Sequence, residues 1–246
     1  MTALRIDLLT IFPEMFPAVL GASILGRAAE KGVVTYHVHD IRQWTEDRHN
    51  RVDDRPFGGG PGMVMMCQPL FDSVRAVELM DERAAHRVLL TPQGRPLDQS
   101  VVERLARTPR LLLIAGHYEG VDERVIDELA PEEISVGDYV LSGGELAAMI
   151  VVDAVVRLQA GALGHEQSAA EDSFAARSLG NACDGQTARL LDCPHYTRPR
   201  VWKDRAVPEV LLGGDHGAVA RWRMEQMIER TRVRRPDLLP PQVGDL

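Results

Sequence analysis

The chain has 246 residues, of which 45% are apolar and 26% charged, and its formal net charge is −8 at pH 7. This composition is typical of a globular protein with one large domain or two small ones, and the negative charge argues against a protein that coats nucleic acid nonspecifically. No apolar run approaches the roughly 18 residues of a membrane span. Charges at Arg5 and Asp7 argue against a signal peptide, and three cysteines without metal-ligand spacing fit a reducing compartment, so we expect a cytoplasmic protein.

The first 160 residues alternate short apolar runs with helical patterns. Strands are predicted at 6–11, 33–38, 87–90, 111–115 and 134–136, and helices at 22–31, 70–80, 98–107, 123–129 and 144–159. Asp98 is a candidate N-cap, and the unbroken apolar run at 111–115 indicates a central strand. A charged, glycine-rich stretch at 46–62 is predicted to be a mobile loop. The alternation predicts a mainly parallel sheet that is covered by helices on both faces.

The remaining residues divide into a linker and a second domain. Residues 161–190 show no convincing period, so we expect a flexible linker between a first domain at 1–160 and a second at 191–246. A helix at 218–232 is the strong pattern in the second domain and predicts a small helical fold. Basic residues cluster between Arg198 and Arg205 and again between Arg221 and Arg235. Such runs are either solvated helix faces or contacts for phosphates.

Three glycine-containing turns follow three of the predicted strands, at 91–95, 116–120 and 137–144. In open α/β sheets ligands bind beyond the carboxyl ends of the strands, and glycine lets the backbone approach them closely. None of the turns has the Gly-x-Gly-x-x-Gly pattern or the Gly-Lys-Ser/Thr ending of a phosphate loop. The sequence therefore disfavours a classical dinucleotide or triphosphate site.

Four polar motifs accompany these turns. Gly-His-Tyr-Glu-Gly-Val-Asp-Glu-Arg lies at 116–124, and Ile-Ser-Val-Gly-Asp-Tyr-Val-Leu-Ser-Gly-Gly-Glu at 134–145. Glu-Asp-Ser-Phe at 171–174 is separated by fifteen residues from Leu-Leu-Asp-Cys-Pro-His-Tyr-Thr-Arg-Pro at 190–199. Together they resemble the bacterial tRNA (guanine-N1)-methyltransferases of the SPOUT superfamily, from about residue 11 to residue 238. The resemblance implies an α/β fold with a deep trefoil knot, which holds S-adenosylmethionine in a bent form, and a small helical C-terminal domain.

The same resemblance implies a set of site residues. Asp172 corresponds to the general base, and Arg157 to an arginine that contacts either guanine O6 or the cofactor's carboxylate. Glu119 is a substrate residue by the same comparison, and with Asp122 it binds either substrate or a Mg²⁺ ion. The other substrate candidates are Asp53, Asp192, His195 and Arg198. The cofactor-binding candidates are Pro92, Gly94, Gly116, Tyr118, Val136, Gly137, Asp138, Tyr139, Val140, Leu141, Gly143 and Gly144.

The implied reaction explains why an acid and an arginine are needed. Guanine N1 carries a proton that must leave before or during attack, and negative charge then develops on O6. A carboxylate beside a guanidinium meets both demands. The family's target is the guanine immediately 3′ of the tRNA anticodon, in a single-stranded loop where a base is splayed out at low cost. The family also implies a homodimer in which one protomer binds the cofactor and the other contributes its linker and C-terminal domain.

The chain departs from the family pattern in three places. The spacer at 175–189 is longer than usual, Arg189 replaces a glycine, and His117 replaces an arginine of some members. We expect the spacer to be a disordered extension into solvent, because surface insertions are tolerated well. The sequence leaves three alternative functions: a methyltransferase for another RNA nucleoside, a noncatalytic RNA-binding protein with this fold, and a nucleotide-binding oxidoreductase or hydrolase.

Overall fold

The computed structural model describes residues 3–164, 171–178 and 187–240. The chain forms two compact units, Met1–Gly164 and His165–Leu246. The division falls inside the segment that the sequence predicts as a linker. None of the helices in the described ranges is long and apolar enough to cross a membrane.

The first unit is built on a parallel sheet. Its strands are β1 (Leu4–Thr10), β2 (Val34–Asp40), β5 (His86–Pro96), β6 (Arg110–Ala115) and β7 (Glu132–Ser135), and a separate ribbon pairs β3 (Asp53–Asp54) with β4 (Val64–Met65). The helices are α1 (Pro17–Leu20), α2 (Ser23–Glu30), α3 (Cys67–Glu78), α4 (Gln99–Leu105), α5 (Glu123–Leu129) and α6 (Glu145–Val156). The five strands run parallel in the order β2-β1-β6-β5-β7, so the predicted central strand, β6, is confirmed at the centre.

Helices cover both faces of this sheet, as the strand–helix alternation predicts. Leu111 and Leu113 of β6 face a core shared with α1, α2, α4 and α6. The alternate residues Leu112 and Ile114 face a second core shared with α3 and α5. A central strand buried on both sides needs the continuous apolar run that β6 has.

Strand β5 is longer than its apolar run suggests. The sequence predicts a strand at 87–90 and then a turn, whereas the observed strand continues to Pro96. Ile134 of β7 pairs first with Leu90 and again with Arg95, so the intervening residues form a bulge. A side chain at Gly94 would collide with the main chain of Glu133 and Ile134, which explains the glycine. The predicted turn is therefore an irregularity within β5.

A buried ion network lies in the amino-terminal half of the sheet. Asp7 and Arg110 are fully buried and joined by a 2.9 Å bond, and Arg5 binds the same carboxylate at 2.8 Å. Burial alone would raise the pKa of Asp7, but hydrogen bonds from His39, Arg5 and Arg110 outweigh it and hold the pKa well below its ordinary value. Arg110 also donates to the main-chain carbonyls of Val77, Glu78, Asp81 and Arg83. The network thus joins β1 and β6 to the segment around the end of α3.

The second unit is smaller and contains one long helix, α7 (His216–Arg234), which the sequence predicts at 218–232. Asp215 caps it by accepting from the main-chain NH of Ala218 at 2.9 Å. Its short strands are β8 (Ala176–Ser178), β9 (Thr187–Arg189), β10 (Val201–Trp202) and β11 (Arg205–Ala206). They pair as two antiparallel ribbons, and a small core forms from Ala188, Leu190, Cys193, Met227 and Leu239.

The expectation of a disordered spacer is wrong at its two ends. Ala176–Ser178 pairs with Thr187–Arg189 in register, so both ends of the inserted segment are ordered strands. The strands are three residues each and their pairing is nonlocal, which leaves no periodic signal in the sequence. Residues 179–186 lie outside the described residues.

Candidate active site

A cavity of about 280 Å³ opens beside the bulge of β5 and the carboxyl ends of β6 and β7. Its walls come from the three segments that the sequence singles out as glycine-containing turns. Ten of the twelve predicted cofactor residues line it, the exceptions being Gly94 and Asp138. Gly94 instead permits the close passage of β5 along β7, and Asp138 is exposed.

Glycines bring the start of α6 against the end of β6 beneath this cavity. The main-chain NH of Gly144 donates to the carbonyl of Gly116 at 2.7 Å. A side chain at Gly144 would place its Cβ 2.9 Å from the main chain of Ala115 and Gly116. One at Gly143 would collide with the imidazole of His117. Larger residues at either position would therefore push α6 away from the cavity wall.

The turn at 136–141 presents main-chain groups to the cavity. Gly137 has a φ of +153°, and a side chain there would meet the ring of Tyr139. The Ser135 hydroxyl donates to the carbonyl of Gly137 at 3.1 Å, and the Tyr139 hydroxyl donates to that of Val136 at 3.2 Å. These bonds fix a turn whose backbone can read the edge of a heterocyclic base.

The charge on the cavity wall is negative. Glu119 and Glu123 both line it, whereas no lysine or arginine is among its lining residues in the described part of the chain. Neither carboxylate makes an ion pair with a residue that the structure describes. A cationic ligand therefore suits this cavity better than one carrying phosphates.

A buried polar group beneath the cavity is not among the predicted site residues, although it ends the motif at 134–145. Glu145, at the start of α6, is 1% exposed and accepts from the Thr10 hydroxyl at 2.8 Å. Its other carboxylate oxygen lies 3.4 Å from Nδ1 of His117, which lines the cavity. The signal in the sequence is an acidic residue that opens an otherwise apolar helix. Glu145 thus contacts His117 but is not itself among the residues that line the cavity.

The glycine-rich loop packs beside the Gly-His-Tyr-Glu-Gly motif. Main-chain bonds of 2.9 Å join Glu119 to Met63, and Met65 to Gly120. A side chain at Gly62, which has a φ of +80°, would collide with the Glu119 carboxylate. Burial raises the pKa of Tyr118, and the nearby Asp53 carboxylate raises it further. The structure thus brings three predicted residues together, namely Asp53, Tyr118 and Glu119.

Asp122 caps the amino-terminal end of α5. Its carboxylate accepts from the main-chain NH of Arg124 at 3.1 Å, at the start of α5, and pairs with the Arg124 guanidinium at 2.8 Å. These hydrogen bonds, with a further one from Cys67, hold the pKa of Asp122 well below its ordinary value. Among the described residues, neither Glu119 nor Asp122 belongs to a group of three potential metal ligands.

Arg157 lies at the other end of α6 from the cavity. It is the half-buried C-cap of this helix, thirteen residues beyond Gly144. At a rise of about 1.5 Å per residue, roughly 20 Å separates the two positions along the helix axis. Arg157 is therefore far from this cavity and is not among its lining residues.

In the second unit, the two motifs on either side of the spacer contact each other. The main-chain NH of Phe174 donates to the Leu190 carbonyl at 2.8 Å, and that of Asp192 donates to the Ser173 hydroxyl at 2.9 Å. Arg189, the departure from the family pattern, donates to the Phe174 carbonyl at 2.7 Å. Paired ends of the spacer thus hold the half-buried Asp172 next to the second motif despite the insertion.

Asp192 and His195 form a hydrogen-bonded pair. His195 Nε2 lies 2.7 Å from an Asp192 carboxylate oxygen, and the other oxygen accepts from the main-chain NH of Cys193 at 2.7 Å. Burial alone would raise the pKa of Asp192, but the bonds from His195 and Cys193 outweigh it and lower the pKa. Asp192 is therefore a poor proton acceptor. The last predicted substrate residue, Arg198, is exposed six residues further along the chain.

The fold and the cavity define a class. This is an α/β protein whose parallel sheet carries a cavity beside the ends of its strands, lined by backbone-rich turns and without a dinucleotide or phosphate-loop motif. The family model described as tRNA (Guanine-1)-methyltransferase TrmD matches residues 4–241. The chain belongs to this family.

Proteins of similar sequence carry names that agree with the family model. The tRNA (guanine-N(1)-)-methyltransferase of Chloroflexus aurantiacus is 54% identical over 96% of this chain and 88% of the relative. The protein of that name from Halorhodospira halophila is 53% identical over 96% of the chain and 84% of the relative. The one from Rhodopirellula baltica is 52% identical over 96% of the chain and 94% of the relative. The resemblance that the four motifs indicate is confirmed.

Proposed function

We propose that this chain transfers a methyl group from S-adenosylmethionine to N1 of the guanine immediately 3′ of the anticodon in tRNA. Asp172 acts as the general base and Arg157 stabilises the charge that develops on O6. The family match over residues 4–241 is the observation that carries this proposal. The cavity beside the bulge of β5 and the carboxyl ends of β6 and β7 supports it.

The residues of that cavity fit the cofactor. When bound, S-adenosylmethionine supplies a methyl group already activated on a sulfonium, so the chain's task is positioning. The turn at 136–141 offers main-chain groups for the adenine, and Ile134, Val136 and Leu141 supply apolar surface. Glu119 and Glu123 suit the ligand's positive charges. The trefoil knot that the family implies remains part of this proposal.

Asp172 is the better of the two candidate bases. Asp192, its competitor, is engaged with His195, and its lowered pKa makes it a weaker acceptor of the N1 proton. Ser173 accepts a hydrogen bond from Asp192 and Phe174 donates one to Leu190, and these bonds keep Asp172 in a defined place. Asp192 and His195 then act on the substrate, together with Arg198.

The position of Arg157 supports a homodimer with shared sites. Because it lies roughly 20 Å along α6 from Gly144, the cavity that it serves belongs to a second protomer. The same helix exposes Leu146 and Ile150, which are 51% and 46% accessible and suit an apolar contact between protomers. At a limiting concentration of S-adenosylmethionine, a mixture of Gly144→Ala and Asp172→Ala protomers should be more active than either homodimer. A verified mixed dimer without activity would exclude shared sites.

The direct test is radiolabelled methyl transfer to tRNA transcripts with guanine or adenine just after the anticodon. We expect label on the guanine transcript alone, with a loss of about 10²- to 10⁴-fold for Asp172→Ala, as is typical of a removed general base. Asp192→Asn, the matched control, should lose much less. Label on both transcripts would favour the rival methyltransferase for another nucleoside, and an unchanged rate in Asp172→Ala would exclude this base.

A further inference from the structure

A second cavity, of about 420 Å³, lies in the second unit. One wall is the segment at 194–200, another is the turn at 207–212, and the third is a face of α7. On that helix Val219, Trp222 and Arg223 line the cavity at the spacing of three and four residues that places side chains on one face. The volume falls in the range of small-molecule clefts, about 300–1,000 Å³.

Two aromatic rings stand at this cavity. Tyr196 and Trp222 have ring centroids 6.3 Å apart and are tilted by 52°. Tyr196 remains 49% exposed, so a further planar group has access to the ring. Val207, Leu211 and Val219 add apolar surface around them. This arrangement suits a flat, partly apolar group such as a nucleobase, because every base has a face that stacks on an aromatic side chain.

The charge of the lining residues is positive in a chain whose net charge is −8. Arg198, Arg200, Arg223 and His195 line the cavity, and no carboxylate is among its lining residues in the described part of the chain. None of the three arginines makes an ion pair with a described residue. Exposed guanidinium groups without a carboxylate partner suit phosphates, which they bind bidentately.

From this combination we infer that the cavity binds one unpaired nucleotide of the substrate tRNA. The base stacks on Trp222 and Tyr196, and the arginines contact the adjoining phosphates. It is a different nucleotide from the methylated guanine, because no cofactor-cavity residue and no part of the Glu-Asp-Ser-Phe motif lines this cavity. The inference rests on the proposed function, since it takes tRNA as the substrate.

The test measures the Kd for a tRNA anticodon stem-loop at fixed salt concentration. Trp222→Ala should weaken binding about tenfold, the size expected when a stacked base loses its aromatic partner, and Trp222→Phe should recover most of the affinity. The matched control is Trp202→Ala, which removes an aromatic residue that is 58% exposed in the same unit but outside the cavity. Circular dichroism and the Kd for S-adenosylmethionine show that each variant is folded.

A fully paired RNA duplex of equal length separates stacking from general charge attraction. Its affinity should be the same for wild type and Trp222→Ala, whereas Arg223→Gln should weaken both RNAs and reduce the salt dependence by about one phosphate contact. Equal losses for Trp222→Ala and Trp202→Ala, or an equal loss on the duplex, would overturn the inference. So would an unchanged stem-loop affinity in Trp222→Ala.

Methyl transfer, measured on the same variants, distinguishes this inference from the proposed function. If the stem-loop is bound through Trp222 but no transcript is methylated, the cavity assignment stands and the proposed function fails. If the guanine transcript is methylated and Trp222→Ala binds the stem-loop as tightly as wild type, the function stands and the cavity assignment fails.

Discussion

The two ends of the parallel sheet carry charged side chains in opposite ways. In the amino-terminal half, Asp7 and Arg110 are fully buried, and their hydrogen-bonding atoms meet partners within the protein. At the carboxyl ends, Glu119 and Glu123 face a cavity without an ion pair among the described residues. In the first arrangement the charged groups pair with one another and stabilise the fold. The second leaves negative charge available to a ligand, so the same residue types serve structure at one end and binding at the other.

The largest expected effect comes from breaking the amino-terminal network. Asp7→Asn leaves Arg110 buried without its charged partner, which should lower the free energy of unfolding by about 3–5 kcal/mol. Denaturant unfolding measures this loss, and the Kd of the remaining folded protein for S-adenosylmethionine should not change. Arg51→Gln is the control, because it breaks an exposed pair with Asp47 that should be worth less than about 1 kcal/mol. Equal losses in the two variants would contradict a structural role for the network.

The same network should make the free energy of unfolding depend on pH in the acid range. Because the folded-state pKa of Asp7 lies below its ordinary value, its contribution is fully present above about pH 4 and is lost as the pH falls through the folded pKa. The difference in unfolding free energy between wild type and Asp7→Asn should therefore be constant near neutrality and shrink in acid. If the difference in unfolding free energy between the two proteins grew as the pH falls, it would contradict this prediction.

Gly144→Ala should produce a smaller loss that is confined to the carboxyl end. The added Cβ meets the main chain of Ala115 and Gly116 at 2.9 Å, so α6 must shift at the cavity wall. We expect a cost of about 1–3 kcal/mol, typical of overpacking, and a weaker Kd for S-adenosylmethionine by calorimetry. Gly164→Ala is the control, since a Cβ there meets nothing within 4 Å. If Gly144→Ala binds S-adenosylmethionine as tightly as the wild type does, this cavity is not the cofactor site.

The smallest effect is electrostatic. Glu119→Gln keeps the side-chain shape but removes one negative charge from the cavity wall, so binding of S-adenosylmethionine should weaken by about 0.5–1 kcal/mol. The demethylated product lacks the sulfonium charge, and its affinity should fall less. Glu128→Gln, an exposed change on α5 outside the cavity, should affect neither ligand. Equal losses for the two ligands in Glu119→Gln would mean that this carboxylate does not act through the sulfonium charge.

The sequence predicts the elements of the first unit well because their signals are local. The apolar run at 111–115 identifies the central strand, and Asp98 is confirmed as the N-cap of α4, where it accepts from Val101 at 2.9 Å. The family resemblance, rather than any local signal, implies that the segments at 91–95, 116–120 and 137–144 meet, and residues from all three line one cavity.

The features that the sequence does not show depend on nonlocal contacts. The continuation of β5 to Pro96 requires β7 to pair with it twice at Ile134. The bond from Thr10 to Glu145 joins residues 135 positions apart, and the ordered ends of the spacer depend on a strand pairing across undescribed residues. In the sequence Arg157 resembles any exposed position on a helix, and the observed length of α6 is what separates it from the cavity.

The identity of the methylated atom tests the central claim most directly. tRNA methylated by wild type and by Asp172→Asn would be digested to nucleosides and analysed by chromatography and mass spectrometry. We predict that 1-methylguanosine is the methylated product of the wild type and that it falls at least about a hundredfold in the variant. A guanosine methylated at another atom, or undiminished 1-methylguanosine in Asp172→Asn, would contradict the proposed chemistry.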